Sequence, residues 1–126
     1  MELIKNQYEF MLIPQHPQRN CIYKEGKTCI NLRKDTSQNI NTILKFLKDE
    51  NYPEQNGLVQ SNIIVRNHND QLCIKLMNLW WSMIKKFSKR DQLSFNYCCW
   101  KLNIIPTYIK WNQIEQYIRW TGHKKQ

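Results

Sequence analysis

An apolar stripe that repeats at helical spacing after Asp70 constrains the fold more than any other feature of this chain. Residues three and four positions apart lie on one face of an α-helix, so the stripe predicts a helix whose apolar face is buried. The carboxylate of Asp70 can cap the first turn of that helix. The stripe consists of Leu72, Leu76, Leu79, Trp80, Met83 and Phe87.

Two further helices are predicted before this one. Pro17 suits a first helical turn, and apolar residues then recur at helical spacing, which predicts a helix over residues 17–31 with Glu25 on its apolar side. A capping run at residues 35–37 precedes a second stripe that extends to about residue 50. The chain contains no alanine, so these apolar stripes must specify the helices without the best helix former.

Short apolar and β-branched runs predict three strands. They cover residues 8–13, residues 58–66 and a short segment containing Tyr108, Ile109 and Trp111. Because predicted helices separate these strands along the chain, we expect one α/β domain spanning residues 1–126. The end of the chain is predicted to hold a short helical segment at residues 113–120 and a basic tail at residues 121–126.

Charge and cysteine content indicate classes of binding partner and a cellular compartment but do not identify a partner. The 19 Lys and Arg against 10 Asp and Glu give a net charge of +9, which attracts phosphates, acidic polysaccharides, nucleic acids or anionic membranes. The first ten residues resemble no signal peptide, and no apolar run approaches the roughly 20 residues that span a bilayer. Five cysteines without metal-binding spacing predict free buried thiols, which favours a reducing, cytoplasmic location.

Residues 88–92 gather a serine, two cations, an aspartate and a glutamine between two apolar runs. In one interpretation Ser88 and Asp91 form a capping box, which predicts a helix from near residue 90 to about residue 102 with the two cations solvated. In the other, this helix start opens into a concavity where Asp91 and Gln92 hold hydroxyl groups and the helix dipole favours an anion. A sugar phosphate satisfies both halves of the second interpretation.

The polar residues before the first helix can likewise be interpreted as structural or as functional. His16 and Arg19 either cap and solvate the helix start, or lie where open α/β sheets collect ligands, just after a strand. Glu25 needs a partner if it is buried, and Arg19, Arg66 or Arg90 can pair with it. We expect that ion pair to be structural rather than catalytic.

Two other pairs of residues are ambiguous in a similar way. Arg66 and His68 alternate at the end of a predicted strand and so lie on one side of the sheet, as a salt-bridged edge or as a phosphate or metal site. Trp80 and Trp81 are separated by about 100° around their helix, so both cannot face the core. Trp81 therefore packs against another element or forms an apolar wall on which a sugar ring stacks.

Six of these segments, in this order, resemble one known family over about 80 residues. The resemblance is to the C-terminal half of the glycosyltransferase-like domain shared by plant Golgi proteins of mucilage synthesis and bacterial and viral capsule-type proteins. The segments are His16-Pro-x-Arg19, Ile22-Tyr23-x-Glu25, Tyr52-Pro53 with Gly57-Leu58, Val65-Arg66-x-His68, Trp80-Trp81, and Ser88-x-Arg90-Asp91-Gln92-Leu93-Ser94-Phe95.

The resemblance implies part of a GT-A-type transferase fold, with a mixed sheet, flanking helices and a divalent cation, Mn²⁺ or Mg²⁺, on the donor diphosphate. It implies that Asp91 and Gln92 hold the donor sugar and are the catalytic residues. Further implied substrate-binding residues are His16, Arg19, Glu25, Arg66, Arg90 and Trp81, and the implied metal ligand is His68. The implied partners are a nucleotide-sugar and a glycan acceptor in polysaccharide or glycan synthesis, with no membrane.

Two departures from the family pattern bear on catalysis. Met83 stands where the family usually has a glutamate two residues after the second tryptophan. No Asp-x-Asp sequence, with which such enzymes hold the metal, occurs in the chain. We therefore expect a half-domain that another polypeptide completes with the nucleotide-binding half, and enzymatic activity of the chain alone is not implied.

Two alternatives belong to other functional classes. A basic nucleic-acid-binding module would use the net charge of +9 and the five tryptophans, although the basic residues are scattered and the tryptophans follow helical periodicity. A non-catalytic, degenerate domain would keep only the fold and an interaction surface, and Met83 favours it.

Overall fold

The computed structural model describes residues 11–61, 64–66 and 69–109. Three short strands and four α-helices alternate along these residues, with one 3₁₀ turn before the last helix. In chain order they are β1 (Met11–Pro14), α1 (Ile22–Asn31), α2 (Ser37–Asp49), β2 (Val65–Arg66), α3 (Gln71–Lys86), the 3₁₀ turn (Asp91–Leu93), α4 (Phe95–Lys101) and β3 (Thr107–Ile109).

The described strands form a mixed sheet in the order β2-β1-β3, which confirms the α/β class. The central strand β1 pairs antiparallel with β2 and parallel with β3, so that Pro14 lies opposite Ile109. All four residues of β1 are buried, which explains why this strand reads as a continuous apolar run. The predicted strand at residues 8–13 thus extends to Pro14, and its first three residues lie outside the described part of the chain.

The stripes predicted α2 and α3 closely. Thr36 caps α2, because its hydroxyl accepts a hydrogen bond from the backbone N–H of Asn39. Asp70 caps α3 by accepting from the N–H groups of Leu72 and Cys73. The stripe of α3 is buried at Leu76, Trp80 and Met83, but Leu72 in the first turn is 41% exposed and lies outside the core.

The first helix begins later than predicted. The predicted range was 17–31, whereas α1 starts at Ile22. The ring nitrogen Nδ1 of His16 accepts hydrogen bonds from the backbone N–H groups of Gln18 and Arg19, at 3.1 and 3.2 Å. These bonds hold the residues before α1 in a loop, so Pro17 starts a turn and not a helix.

Three other predictions need correction. The capping box is wrong, because Ser88 donates to the Asp35 carboxylate and accepts from the backbone N–H of Arg90. The predicted helix at 90–102 is therefore divided into the 3₁₀ turn and α4. Among the described residues of the predicted strand at 58–66, pairing is limited to β2 and one isolated bridge between Val59 and Gln15. Trp111 and residues 113–126 lie outside the described residues.

The core lies between the sheet and the helices and includes all five cysteines as free, buried thiols. An aromatic group joins α2 to α4, where the ring of Tyr97 packs edge-on against Phe46 at 5.5 Å and against Tyr52 at 5.9 Å. Within the described ranges, no helix is both long enough and apolar enough to span a bilayer.

Gly57 should tolerate no side chain. Its φ is +99°, and a Cβ atom would lie 2.6 Å from Tyr108 Oη and 2.9 Å from Asn96 Nδ2. We expect Gly57→Ala to lower the free energy of unfolding by about 2 kcal/mol, because left-handed strain and a steric clash add together. Urea unfolding followed by tryptophan fluorescence measures the change.

A matched control lies two residues earlier. Gln55 also has a positive φ, 52°, but carries a side chain, so Gln55→Gly relieves strain while making the unfolded chain more flexible. We expect a change in unfolding free energy within about 1 kcal/mol for this variant. Equal stability of Gly57→Ala and the unaltered chain would contradict the analysis of this turn.

Candidate functional site

The carboxylate of Glu25 is the buried charge around which the candidate site is built. Glu25 lies in the first turn of α1, and its side chain is only 5% exposed. It shares the apolar face of α1 with Ile22 and Cys29, as the spacing predicts. A carboxylate removed from water in this way requires charged or hydrogen-bonding partners.

Four side chains approach the two oxygens of Glu25, and with it we call them the carboxylate cluster. Arg19 Nε donates to Oε1 at 2.6 Å, and His16 Nε2 lies 3.8 Å from the same oxygen. Gln92 Nε2 donates to Oε2 at 3.4 Å, and the Cys29 thiol lies 3.7 Å from it. The structure thus contains the predicted ion pair of Glu25 with an arginine, and Arg19 is the partner.

The imidazole of His16 is held in one orientation. Nδ1 accepts two backbone N–H bonds, and Nε2 lies 3.4 Å from Arg19 Nη2 and 3.8 Å from Glu25 Oε1. Burial lowers the pKa of His16, the negative charge of Glu25 opposes this shift, and the positive charge of Arg19 adds to it. Neutral His16 thus positions the loop and completes the wall of the cluster.

The cluster lies at the carboxyl edge of the parallel strand pair. The loop with His16 and Arg19 follows the end of β1, and β3 ends beside the same residue of β1, Pro14. The turn at Gly57 supports this loop, since the N–H of His16 donates to the Leu58 carbonyl and the N–H of Gly57 to the Asn20 carbonyl. Ligands of open α/β sheets collect at this edge.

The 3₁₀ turn brings the second group of predicted residues to the cluster. The indole N–H of Trp80 donates to the Asp91 carbonyl at 2.9 Å, which fixes the turn against α3. The Asp91 carboxylate is half-buried and accepts from the Ser61 hydroxyl at 2.8 Å. Gln92 contacts Glu25 from this turn, so residues about 70 positions apart in the chain form one site.

Arg90 places a second guanidinium beside the cluster. It interacts with the Cys29 thiol, whose pKa is raised by burial and by Glu25 while Arg90 lowers it. Among the described residues, no hydrogen-bond partner reaches the buried Nε of Arg90. Arg19 thus binds the buried carboxylate while Arg90 interacts with the neighbouring Cys29, and this excess of positive charge suits an anionic ligand.

The structure does not bring every predicted site residue to this cluster. Arg66 pairs with Met11 at the opposite end of β1, roughly 17 Å along the strand direction from His16, and its guanidinium reaches Met77 Sδ at 3.0 Å. Trp81 is 59% exposed, with the ammonium of Lys85 5.8 Å from its ring centroid. His68 lies outside the described residues.

The sequence did not predict three contacts that shape the site, made by Cys29, Trp80 and Ser61. Cys29 follows Glu25 by four positions on one helix face, so the helical period could have indicated it. Trp80 was assigned to the core without its hydrogen bond to the turn. Ser61 bonds Asp91 across 30 positions, and no local pattern in the sequence signals such a contact.

The described residues do not fit a divalent cation. Over the described ranges, His, Cys, Asp and Glu side chains form no group of three or more that could hold a metal. Within the cluster, the Arg19 guanidinium occupies the Glu25 oxygen that a cation would need.

Comparison with known proteins identifies the domain. The sequence model described as "TOD1/MUCI70, glycosyltransferase-like domain" matches residues 1–118, which include every described residue. No match was found among curated proteins or solved structures.

Removing the charge of Glu25 should destabilise the fold. We expect Glu25→Gln to lower the unfolding free energy by about 2–3 kcal/mol, because it leaves the Arg19 guanidinium without its carboxylate. Urea unfolding provides the measurement. Asp49→Asn is the control, since it removes an exposed pair with Lys45 and should cost less than about 0.5 kcal/mol; equal losses in the two variants would contradict the central role of Glu25.

The buried His16 should make stability depend on pH. Its folded-state pKa lies below the ordinary value of 6.5, so as the pH falls below 6.5 the unfolded chain binds a proton that the folded chain resists. Its stability contribution is therefore complete above pH 6.5 and decreases as the pH falls towards the folded pKa. Urea midpoints measured from about pH 7.5 down to pH 5 should show this decrease.

His16→Asn tests the assignment of that pH dependence. The asparagine oxygen can accept the same backbone N–H bonds that Nδ1 accepts, but it does not titrate. We expect the variant to show a smaller loss of stability between about pH 6.5 and 5 than the unaltered chain. Parallel stability curves for the two proteins would show that His16 does not titrate differently on folding.

Proposed function

Because the chain belongs to the TOD1/MUCI70 glycosyltransferase-like domain family, we propose that it forms the sugar- and acceptor-binding part of a nucleotide-sugar-dependent transferase. The family supports a glycosyltransferase-like function in general terms. The finer proposal adds a GT-A-type fold, a nucleotide-sugar donor and a glycan acceptor in polysaccharide or glycan synthesis. It rests on the resemblance of the sequence motifs to this family, and the carboxylate cluster supports it with side chains that can bind a sugar phosphate.

One observation carries the proposal, the contact between the Gln92 carboxamide and the Glu25 carboxylate. It joins the 3₁₀ turn to α1, and the bond of Glu25 to Arg19 adds the loop after β1, so that carboxamide, carboxylate and guanidinium groups lie close together. Sugar hydroxyls both donate and accept hydrogen bonds, and this set of side chains offers both functions. A donor sugar with its phosphate needs such hydroxyl-binding groups next to cations.

We assign roles by chemistry. Asp91 bonds Ser61 through one oxygen, and a carboxylate has further lone pairs that can accept donor-sugar hydroxyls. Gln92 orients the same sugar, while Arg90 and Arg19 attract the phosphate. Glu25 is a positioning residue in this scheme, since both of its oxygens are engaged inside the protein.

A divalent cation enters no step of this scheme, because the described residues do not fit one. The sequence also lacks an Asp-x-Asp pair. We propose that the carboxylates that bind the nucleotide and any Mn²⁺ or Mg²⁺ come from a second polypeptide. Arg66, Trp81 and His68 remain proposed contacts of such a larger assembly, outside the carboxylate cluster.

A second candidate function is a sugar-binding domain without catalysis. Met83 favours it, because this side chain is buried in the core and supplies no carboxylate to the site. This candidate predicts the same binding by the chain but no sugar transfer after any second polypeptide is added. Product formation in such a reconstituted reaction would exclude it.

Binding of a nucleotide-sugar should be visible at Gln92. We expect UDP-glucose or UDP-galactose to shift the side-chain amide signals of Gln92 in ¹⁵N NMR spectra, with saturation in the millimolar range. Gln92→Ala and Asp91→Asn should each weaken binding about tenfold, because each removes a hydrogen-bonding group to the sugar. Asp49→Asn is the control and should bind as the unaltered chain does.

Free UDP separates the sugar from the phosphate in this experiment. It should shift the guanidinium signals of Arg90 and Arg19 but change Gln92 less than a UDP-sugar does. Absence of shifts with all three compounds up to about 10 mM, or equal binding by Gln92→Ala, would overturn the proposal.

A further inference from the structure

A concavity lies apart from the carboxylate cluster, between α4, the turn at Asn56 and the residues before β3. Its volume is about 530 Å³, within the range of roughly 300–1,000 Å³ that small-ligand pockets occupy. No residue of the carboxylate cluster lines it. The wall instead carries the carboxamides of Asn56, Asn96 and Asn103, the indole of Trp100, and the apolar residues 104–106.

Asn96 has an unsatisfied hydrogen-bonding group in this wall. The residue is 3% exposed, and its Nδ2 donates to Tyr108 Oη at 3.0 Å, but no described residue pairs with its Oδ1. Exchanging the positions of the amide nitrogen and oxygen also leaves one of them unpaired, because Tyr108 Oη contacts only one of the two atoms. A buried unpaired group of this kind costs about 1–3 kcal/mol.

Two residues with a positive φ, Gly57 and Asn103, lie at or next to the wall of the cavity. Gly57 approaches Tyr108 Oη and Asn96 Nδ2 so closely that a Cβ atom would collide with both. Asn103 has a φ of 58°, a left-handed conformation that asparagine adopts more readily than most residues. It presents an exposed carboxamide at the mouth of the cavity.

The cavity is neutral although the chain carries a net charge of +9. No Lys, Arg, Asp or Glu is among the described residues that line it, and burial raises the pKa of the Cys99 thiol to about 12, so this group stays uncharged. Carboxamides donate and accept hydrogen bonds in equal measure, as sugar hydroxyls do. The negative face of an indole also attracts the slightly positive C–H groups on the apolar face of a pyranose.

We propose that this cavity is a second carbohydrate site, which binds a neutral pyranose residue of a glycan. Trp100 supplies the apolar surface, and the carboxamides of Asn56 and Asn103 bind hydroxyls. A nucleotide diphosphate is excluded as its ligand because the lining offers no cation. The inference goes beyond the proposed donor site, with which it shares no residue.

Two neutral methyl glycosides test the site, methyl α-D-glucopyranoside and methyl β-D-galactopyranoside, with glucuronate as a charged comparison. We expect at least one glycoside to shift the side-chain amide signals of Asn103 and Asn56 and the indole N–H signal of Trp100. The shifts should saturate by about 50 mM, and glucuronate should bind at least about fivefold more weakly, because its carboxylate meets no cation here.

Asn103→Gly and Asn51→Gly form a matched pair. Both asparagines are exposed with a positive φ, and glycine retains that backbone conformation, so neither change should disturb the fold. Asn103→Gly removes a carboxamide from the cavity and should weaken glycoside binding about five- to tenfold. Asn51 does not line the cavity, so Asn51→Gly should leave binding unchanged.

The outcomes separate this inference from the proposed donor site. Glycoside shifts at Asn103 without any UDP-sugar effect at Gln92 support the second site and remove the first. UDP-sugar effects at Gln92 without saturable glycoside shifts at Asn103 do the reverse. Equal weakening by the two glycine variants, or tighter binding of glucuronate than of both glycosides, also overturns the neutral pyranose site.

Discussion

The buried carboxylate of Glu25 is the constraint on which the arrangement of this domain depends. Removing a carboxylate from water costs several kcal/mol, and only close partners recover that cost. Arg19 supplies the charge, and it can reach Glu25 because the chain before α1 forms a loop instead of a further helical turn. Gln92 completes the shell from the 3₁₀ turn. One charge on α1 thus determines where the loop after β1 and the start of α4 lie.

The junction at residues 88–92 serves both structure and the proposed function. Ser88 is 2% exposed and bonds the Asp35 carboxylate, so it ties the start of α2 to this junction. Trp80 fixes the carbonyl of Asp91 from the opposite side. With the backbone held at two points, the proposed contacts of Asp91 and Gln92 with a ligand would require no rearrangement of the turn, and such preorganisation lowers the cost of binding.

The sequence predicted the features that depend on local periodicity. It did not predict features in which distant residues replace local hydrogen-bond partners. Thr36 and Asp70 were identified as possible helix caps because capping requires only neighbouring residues. Ser88 shows the opposite case, since its spacing to Asp91 resembles a capping box but its hydroxyl bonds Asp35, 53 positions away. The pairing of β1 with β3 also has no local signal, because parallel register is decided by side-chain packing across the whole chain. For the candidate site, the apolar face of α1 predicted a partner for Glu25, but the contact of Ser61 with Asp91 required the folded chain.

The two proposed ligand sites differ in the charge of their residues, which suits them to different ligands of a glycosyl transfer. The carboxylate cluster combines hydroxyl-binding groups with the guanidinium groups of Arg19 and Arg90, which favours a ligand that carries phosphate. The asparagine-lined cavity contains no charged group among its described residues, which favours a neutral sugar and leaves phosphate without compensation. The turn that contains Asn56 and Gly57 joins them, since Asn56 lines the cavity while Gly57 bonds the loop that carries Arg19. A nucleotide-sugar donor carries phosphate and a neutral glycan acceptor does not. This difference in charge can direct each ligand to its own proposed site on one small domain.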